Sequence, residues 1–142
     1  MSLTTIFNIA GSGMNAQSVR LNTTASNLAN ADAAASSVDE TYRGRHPIFS
    51  AVMNDALSFD SKNRGSNIGV QVMGIVESDA PLQPRYEPNN PMADQEGYVY
   101  YPNVNVVEEM TNMMSASRSF QMNVEVMNSA KQMMQRVLTL GQ

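Results

Sequence analysis

Residues 106–140 read VVEEMTNMMSASRSFQMNVEVMNSAKQMMQRVLTL. The stretch contains neither glycine nor proline, and Asn105 with Glu108 three positions later is typical of a capping box at a helix N-terminus. Gly141, directly after Leu140, suits the C-terminal end of a helix. The sequence therefore predicts one long helix over the whole stretch.

Apolar residues along this helix alternate spacings of four and three, which is the heptad pattern of a helix that packs along one seam. The seam positions are Val106, Met110, Met113, Ser117, Phe120, Val124, Met127, Lys131, Met134 and Leu138. A helix of this length extends about 50 Å at ~1.5 Å per residue, whereas a compact globule of this chain length is about 37 Å across. We therefore expect an elongated molecule. Apolar residues off the seam, which we expect to face neighbouring chains, include Val107, Met114, Val126 and Val137.

A weaker form of the same pattern occurs near the N-terminus. The apolar residues that recur there at heptad spacing are Phe7, Met14, Leu21 and Leu28. Such a stripe is expected for one face of a helix. We predict that this helix runs from about Leu3 to Ala31 and pairs with the C-terminal helix.

The N-terminal segment also contains Gly11, Gly13 and Ala16 in the order G-x-G-x-x-A. Dinucleotide-binding turns use this spacing, but they need a strand before it and alternating β and α segments around it. Here the apolar stripe passes straight through both glycines. Because glycine inside a helix costs roughly 1 kcal/mol relative to alanine, we interpret these positions as sites of close helix packing. A dinucleotide enzyme is the least favoured alternative, and titration with NAD or FAD would test it.

The middle of the chain differs from its ends, since it contains all six prolines. Within it, Ile68, Val70 and Val72 alternate with small or polar residues, and residues 98–101 form a second strand-like run. We predict a small, irregular β-containing insert. The expected fold class is therefore mainly α, namely an antiparallel coiled-coil hairpin of long N- and C-terminal helices with this insert between them.

Composition excludes several classes of function. The net charge is −4, and lysines and arginines are scattered rather than striped, so nucleic acid is not an expected partner. No apolar run approaches the ~20 residues that span a bilayer, and the N-terminus lacks the basic start of a secretory signal. The absence of cysteine excludes disulfides and thiolate catalysis.

Few residues could carry chemistry. His46 precedes Pro47, a combination that favours an extended surface position, and we interpret it as a solvated loop histidine. Asp94 and Glu96 do not meet the ligand spacing of a calcium loop, so we predict a polar turn there. We expect no catalytic residue, no cofactor, no metal and no enzyme activity.

The two ends of the chain resemble a known family. The stretch SGMNAQSVRLNTTASNLANADA at residues 12–33 and the whole of residues 101–142 resemble the proximal rod proteins of the bacterial flagellar basal body, within the flagellar rod and hook superfamily. NLAN at residues 27–30 and NVNVVEEM at residues 103–110 are similar to segments of rod and hook proteins generally. The block SASRSFQMNVEVMNSAKQMM and the short middle favour the proximal rod group.

The resemblance implies a structural subunit of a helical tube that transmits torque for motility, with its paired terminal helices lining the axial channel. The implied partners are other rod subunits, copies of the chain itself and the flagellar type III export apparatus, without nucleic acid or direct membrane insertion. The implied location is the periplasmic rod, reached without a cleaved signal peptide. The implied division has residues 1–31 and 103–142 as the two helices of a discontinuous axial domain and residues 32–102 as linker and insert.

For this function the candidate assembly residues are the apolar members of the two stripes. They are Phe7, Met14, Leu21, Leu28, Val106, Met110, Met113, Phe120, Val124, Met127, Met134 and Leu138. Two alternatives remain open at this point, another member of the rod family and a coiled-coil adaptor outside the flagellum that binds a partner helix. The adaptor predicts high helicity in the isolated chain, whereas the rod protein predicts low helicity at its ends.

Overall fold

The computed structural model describes residues 3–53 and 68–140. In chain order the elements are α1 (Leu3–Ala29), β1 (Arg45–Met53), β2 (Ile68–Glu77), β3 (Gln83–Tyr86), β4 (Tyr98–Tyr101) and α2 (Val106–Leu140). α2 has the bounds expected from the sequence. α1 ends just before the expected Ala31, because the Asn30 side-chain amide donates to the carbonyl oxygen of Ser26 at 2.8 Å and caps the last turn.

The predicted fold class, a mainly α coiled-coil hairpin with a small irregular insert, is wrong. Helices account for 50% and strands for 22% of the described residues, and the strands form two ordered antiparallel sheets of two strands each. β1 and β2 are nine and ten residues long. The sequence indicated β2 and β4 but not β1, which contains Pro47, a residue that only an edge strand accommodates.

The β1–β2 ribbon lies against α1. Its register shifts between Ile48 and Phe49, so that Met73 is left without a partner and forms a bulge. Near the start of β2, the Ser12 hydroxyl of α1 accepts a hydrogen bond from the backbone N–H of Val70 at 3.2 Å. The same hydroxyl donates a hydrogen bond to the carbonyl oxygen of Ile9, within α1, at 2.9 Å. A side chain of α1 therefore fixes the start of β2.

The second sheet, β3–β4, is closed by the polar turn predicted at Asp94 and Glu96. Asp94 Oδ1 accepts hydrogen bonds from the backbone N–H groups of Tyr98 at 2.8 Å and Glu96 at 2.9 Å. The bond from Tyr98 is the main reason that the pKa of Asp94 lies below its usual value of 3.8. Gly97 has a φ of 84°, which other residues rarely adopt, so the turn depends on glycine at this position.

α1 and α2 pack antiparallel through small and polar residues. The α2 residues buried against the rest of the molecule are Glu109, Ala116 and Ala130, and Asn123 completes their heptad spacing by facing Gly13. We call these four positions the buried stripe. The predicted seam consisted mostly of large apolar residues, whereas the buried stripe consists of alanines and polar residues. Small side chains take the centre of the contact because they allow two helix backbones to approach more closely than methionine or phenylalanine would.

The interpretation of the N-terminal glycines is confirmed. Gly11 and Gly13 lie in the middle of α1 rather than in a turn between a strand and a helix, which removes the basis for a dinucleotide site. A β-carbon added to Gly13 would lie 2.9 Å from Nδ2 of Asn123, closer than side chains normally approach. The missing side chain at Gly13 thus makes room for α2.

Candidate assembly surface

The buried side-chain amide of Asn27 joins three elements where the C-terminal end of α1 meets the N-terminal end of α2. Asn27 is only 1% exposed, and its Nδ2 donates to the carbonyl of Arg45 at 2.8 Å and to Oε2 of Glu109 at 3.1 Å. Its Oδ1 accepts from the backbone N–H of Arg45 and from the hydroxyl of Tyr42, both at 2.9 Å. Every donor and acceptor of this side chain is therefore used to hold α1, β1 and α2 together.

Glu109 is a buried carboxylate that amides stabilise. Besides Asn27, it accepts a long hydrogen bond of 3.5 Å from Nδ2 of Asn112, whose Oδ1 accepts one of 3.0 Å from Arg20. Glu109 also lies in the first turn of α2, where the helix dipole favours a negative charge. This arrangement explains why a carboxylate is tolerated at the start of the buried stripe.

Two further asparagines position the N-terminus of α2. Asn105 Oδ1 accepts from the backbone N–H groups of Val107 at 3.1 Å and Glu108 at 3.4 Å, which confirms the predicted helix cap. Asn103 donates to the carbonyl of Ala80 at 2.8 Å and accepts from the N–H of Gly44 at 2.8 Å. The segments NLAN (residues 27–30) and NVNVVEEM (residues 103–110) thus meet at one set of polar contacts, which connects the C-terminal end of α1 to the N-terminal end of α2. We call this set, formed by Asn27, Asn103, Asn105 and Glu109, the asparagine joint.

The structure places the candidate assembly residues on the borders of the helix pair rather than in its centre. The half-buried members are Phe7, Met14, Leu21, Leu28, Met113, Phe120, Val124, Met127 and Met134. The exposed members are Val106, Met110 and Leu138. Met127 lies next to Gly11 of α1, with its Cε 3.9 Å from a β-carbon built on that glycine. None of the set is fully buried, so each retains surface that a neighbouring chain could cover, and their role in assembly stays a prediction.

A second apolar surface on α2 is more exposed. Its members, which we call the exposed α2 face, are Val107, Met114, Met122, Val126, Met133 and Val137. Val107 is 73% exposed and Val137 62%. The off-seam residues expected to face neighbours are thus on the surface, and they are joined there by Met122 and by Met133, which lies one heptad after Val126.

Among the described residues, neither helix combines the length and apolarity that a membrane span requires. In that same part of the chain no group of three or more histidines and carboxylates is placed to hold a metal ion. The surface features that remain are apolar faces and polar joints, which are the elements of protein–protein packing.

Comparison with known proteins gives matches at both ends and over the full length. Residues 7–34 match the family described as flagella basal body rod protein, and residues 95–140 match the C-terminal family of the flagellar basal body rod FlgEFG proteins. The chain is 49% identical over 142 residues to the flagellar basal-body rod protein FlgC of Salmonella typhimurium, covering 100% of both chains.

More distant relatives show the same full-length similarity. The FlgC protein of Yersinia enterocolitica is 46% identical, again over 100% of both chains. That of Borreliella burgdorferi is 34% identical, over 100% of this chain and 99% of its own length. These similarities show that the chain belongs to the flagellar basal-body rod protein family and is similar throughout to its proximal rod members.

Proposed function

We propose that the chain is a structural, non-enzymatic subunit of the flagellar basal-body rod, which polymerises by helix packing and transmits torque for motility. The observation that carries this proposal is the exposed α2 face, where apolar side chains follow one helix for most of its length. Exposed apolar side chains distributed along a helix in this way are typical of a surface that another protein covers. Membership of the rod family supplies the kind of protein that covers it.

The energetics of this surface favour an assembly with several simultaneous contacts. Full burial of a valine or methionine side chain contributes about 1.5 to 3 kcal/mol, so six side chains that are already about half covered contribute roughly 4 to 9 kcal/mol. Association of two chains costs an estimated 4 to 15 kcal/mol. One such contact is therefore close to balanced, and a subunit that packs against several neighbours at once is held firmly.

The candidate assembly residues provide the further contacts in this proposal. Because they flank the buried stripe, a neighbouring helix that packs beside the α1–α2 pair would cover them without displacing either helix. The family resemblance supports other rod subunits and copies of the chain itself as the neighbours. On this view residues 1–31 and 103–142 act as one axial unit, and residues 32–102 as the part attached to its side.

The route to the rod forms part of the same proposal. We expect export by the flagellar type III apparatus without cleavage of a signal peptide, followed by assembly in the periplasm. Membership of the rod family supports this route. Detection of the N-terminal peptide, beginning at residue 1 or 2, in purified basal bodies would test it, since a cleaved signal would remove that peptide.

A matched pair of substitutions tests the assembly role. Val126→Asp introduces a carboxylate into the exposed α2 face, and Asn128→Asp introduces the same charge at another exposed position of the same helix. We expect Val126→Asp to abolish motility and incorporation into basal bodies, because the contact would bury an unpaired charge. Asn128→Asp should remain motile. Equal motility of the two variants would contradict the proposed use of this face.

A further inference from the structure

A groove lies where α1, β1 and the N-terminal half of α2 meet. It has a volume of about 310 Å³, and its lining includes Arg20, Arg45, His46, Phe49 and Asn112. The sequence-based placement of His46 in a loop is wrong, since it lies within β1 opposite Val76, although it is exposed as expected. The ring of Phe49 is 38% exposed and adds an apolar surface beside the polar groups.

The groove is rich in hydrogen-bond donors. A guanidinium group carries five N–H donors, and Arg20 uses one of them, through Nη2, on the neutral amide oxygen of Asn112 at 3.0 Å. Arg45 uses Nε and Nη2 on Oε1 of Glu77, at 3.2 and 2.9 Å. Glu77 is paired with Arg45, and Glu109 is buried behind Asn112. The Arg45 side chain is 47% exposed and lies over the ring of Tyr42, so its remaining donors, like those of Arg20 at the groove, can bind an incoming acceptor in place of solvent.

The C-terminal end of α2 presents the complementary chemistry. Val137 continues the buried stripe one heptad after Ala130, yet it is 62% exposed. The reason is the helix register: Gly13 faces Asn123, so Leu3 lies opposite about residue 133 to 135, and α2 continues beyond α1 at 1.5 Å per residue. The last turn of α2 contains no basic residue. Its terminal carbonyls therefore carry the negative pole of a long helix, and the nearest basic residue on α2 is Arg136, one turn before the end.

From these observations we infer that the groove receives the C-terminal turn of α2 from a second copy of this chain. Arg20 and Arg45 donate to the carbonyl oxygens at the helix end, and Phe49 packs against Val137 and Leu138 of that copy. The inference rests on the proposed rod function. The occupant is a second copy because the complementary features, an exposed apolar helix end without a basic residue in its last turn, are those of this chain's own α2.

The positions of the two features fit a polymer. On one chain the groove, at Asn112, and the end of α2, at Val137, are about 37 Å apart along the helix at 1.5 Å per residue. A contact between two different patches on neighbouring subunits is head-to-tail, and such contacts build open helical filaments when the rotation does not close a ring. A rod requires this kind of contact in addition to side-by-side packing.

Photocrosslinking in assembled basal bodies tests the inference. Phe49 is replaced by the photoreactive residue p-benzoylphenylalanine, the bodies are irradiated, and tryptic peptides joined between subunits are identified by mass spectrometry. The expected product joins residue 49 to residues 137–142 of a second copy, the peptide released after Arg136. Intersubunit products that involve only other segments, or none at all, overturn the inference. If the chain is present in the bodies but this product is missing, the proposed function stands; if the chain is missing from them, the proposed function fails.

Charge substitution gives an independent test. Arg20→Glu should lower incorporation into basal bodies about tenfold, corresponding to roughly 1.4 kcal/mol. Arg118→Glu, the same change at an exposed position of α2, should leave incorporation unchanged. Adding Thr139→Lys to Arg20→Glu should restore part of the loss, which a variant that merely misfolds could not show. Normal incorporation of Arg20→Glu, or the absence of rescue by Thr139→Lys, counts against the inference.

Discussion

Replacement of Asn27 by alanine tests the asparagine joint most directly. The change removes four hydrogen bonds and leaves the carboxylate of Glu109 and the backbone groups of Arg45 without their partner. The hydroxyl of Tyr42 keeps a contact of 3.2 Å to Ser26. Each buried polar group left unsatisfied costs about 1 to 3 kcal/mol, so we expect the free energy of unfolding to fall by roughly 3 to 6 kcal/mol. Small domains have about 5 to 15 kcal/mol in total, so the joint should account for much of the stability.

Because the isolated chain is expected to have low helicity at its ends, this loss is measured on the chain in purified basal bodies, by pulse proteolysis at increasing urea concentration. With a slope of about 1 to 3 kcal/mol per molar urea, the midpoint should move by roughly 2 M. The matched control is Asn22→Ala, which makes the same change at an exposed position of the same helix and should alter stability by no more than about 0.5 kcal/mol. If the two variants are equally stable, the hydrogen bonds of Asn27 do not hold the three elements together.

Asn27→Asp separates the role of the donor from that of side-chain shape. The aspartate keeps an acceptor for Arg45 and Tyr42 but places a second carboxylate beside Glu109 in a buried site. Like charges in such a site destabilise the fold, and the Nδ2 donor to Glu109 and to the carbonyl of Arg45 is lost. We therefore expect Asn27→Asp to lower the free energy of unfolding at least as much as Asn27→Ala in the same urea experiment. Stability equal to that of the wild type would show that this donor does not hold the elements together.

Five further substitutions address the helix contact, the polar turn and the predicted seam. Gly11→Ala should stabilise the chain by up to about 1 kcal/mol in urea unfolding, because a β-carbon there meets only ordinary contact, whereas Gly13→Leu should separate the helices and destabilise it. The pKa of Asp94 is depressed in the folded state, so its charge contributes stability that is present above pH 3.8 and is lost as the pH falls through the folded pKa. Asp94→Asn should therefore abolish this acid-dependent step, and an NMR titration that finds the pKa of Asp94 at or above 3.8 would contradict the assignment. Val124→Asp and Met127→Asp should each block rod assembly in a motility assay, and normal motility would count against the predicted seam.

The helices could be predicted from the sequence because long apolar periodicity and capping residues are local signals. The span of α2 followed from its freedom from glycine and proline and from the cap at Asn105. Only one strand of the ribbon could be predicted, because residues 68–72 of β2 alternate clearly, whereas β1 contains a proline, a residue that argues against a strand. Strand partners are a matter of tertiary contact, which no local signal specifies.

The surface available for assembly could be predicted less well than the helices. Periodicity identified Phe120 and Val124 as contact positions, but it could not show that alanines would take the centre of the helix pair. Ala116 is 0% exposed while the larger seam residues lie beside it. Small residues carry little weight in a search for apolar stripes, although they decide how closely two backbones approach. The asparagine joint was missed for a related reason, because a buried asparagine cannot be told from an exposed one until its partners are known.

The two attachment points between α1 and the ribbon have a mechanical consequence. Asn27 holds the first residue of β1, and Ser12 holds Val70 near the start of β2. These points are about 22 Å apart along α1 at 1.5 Å per residue. A ribbon fixed to a helix at one point could rotate about that point under a sideways force, whereas a ribbon fixed at two points transmits the force to the helix. The ribbon can therefore act as a lever arm whose deflection twists the helix pair as a whole.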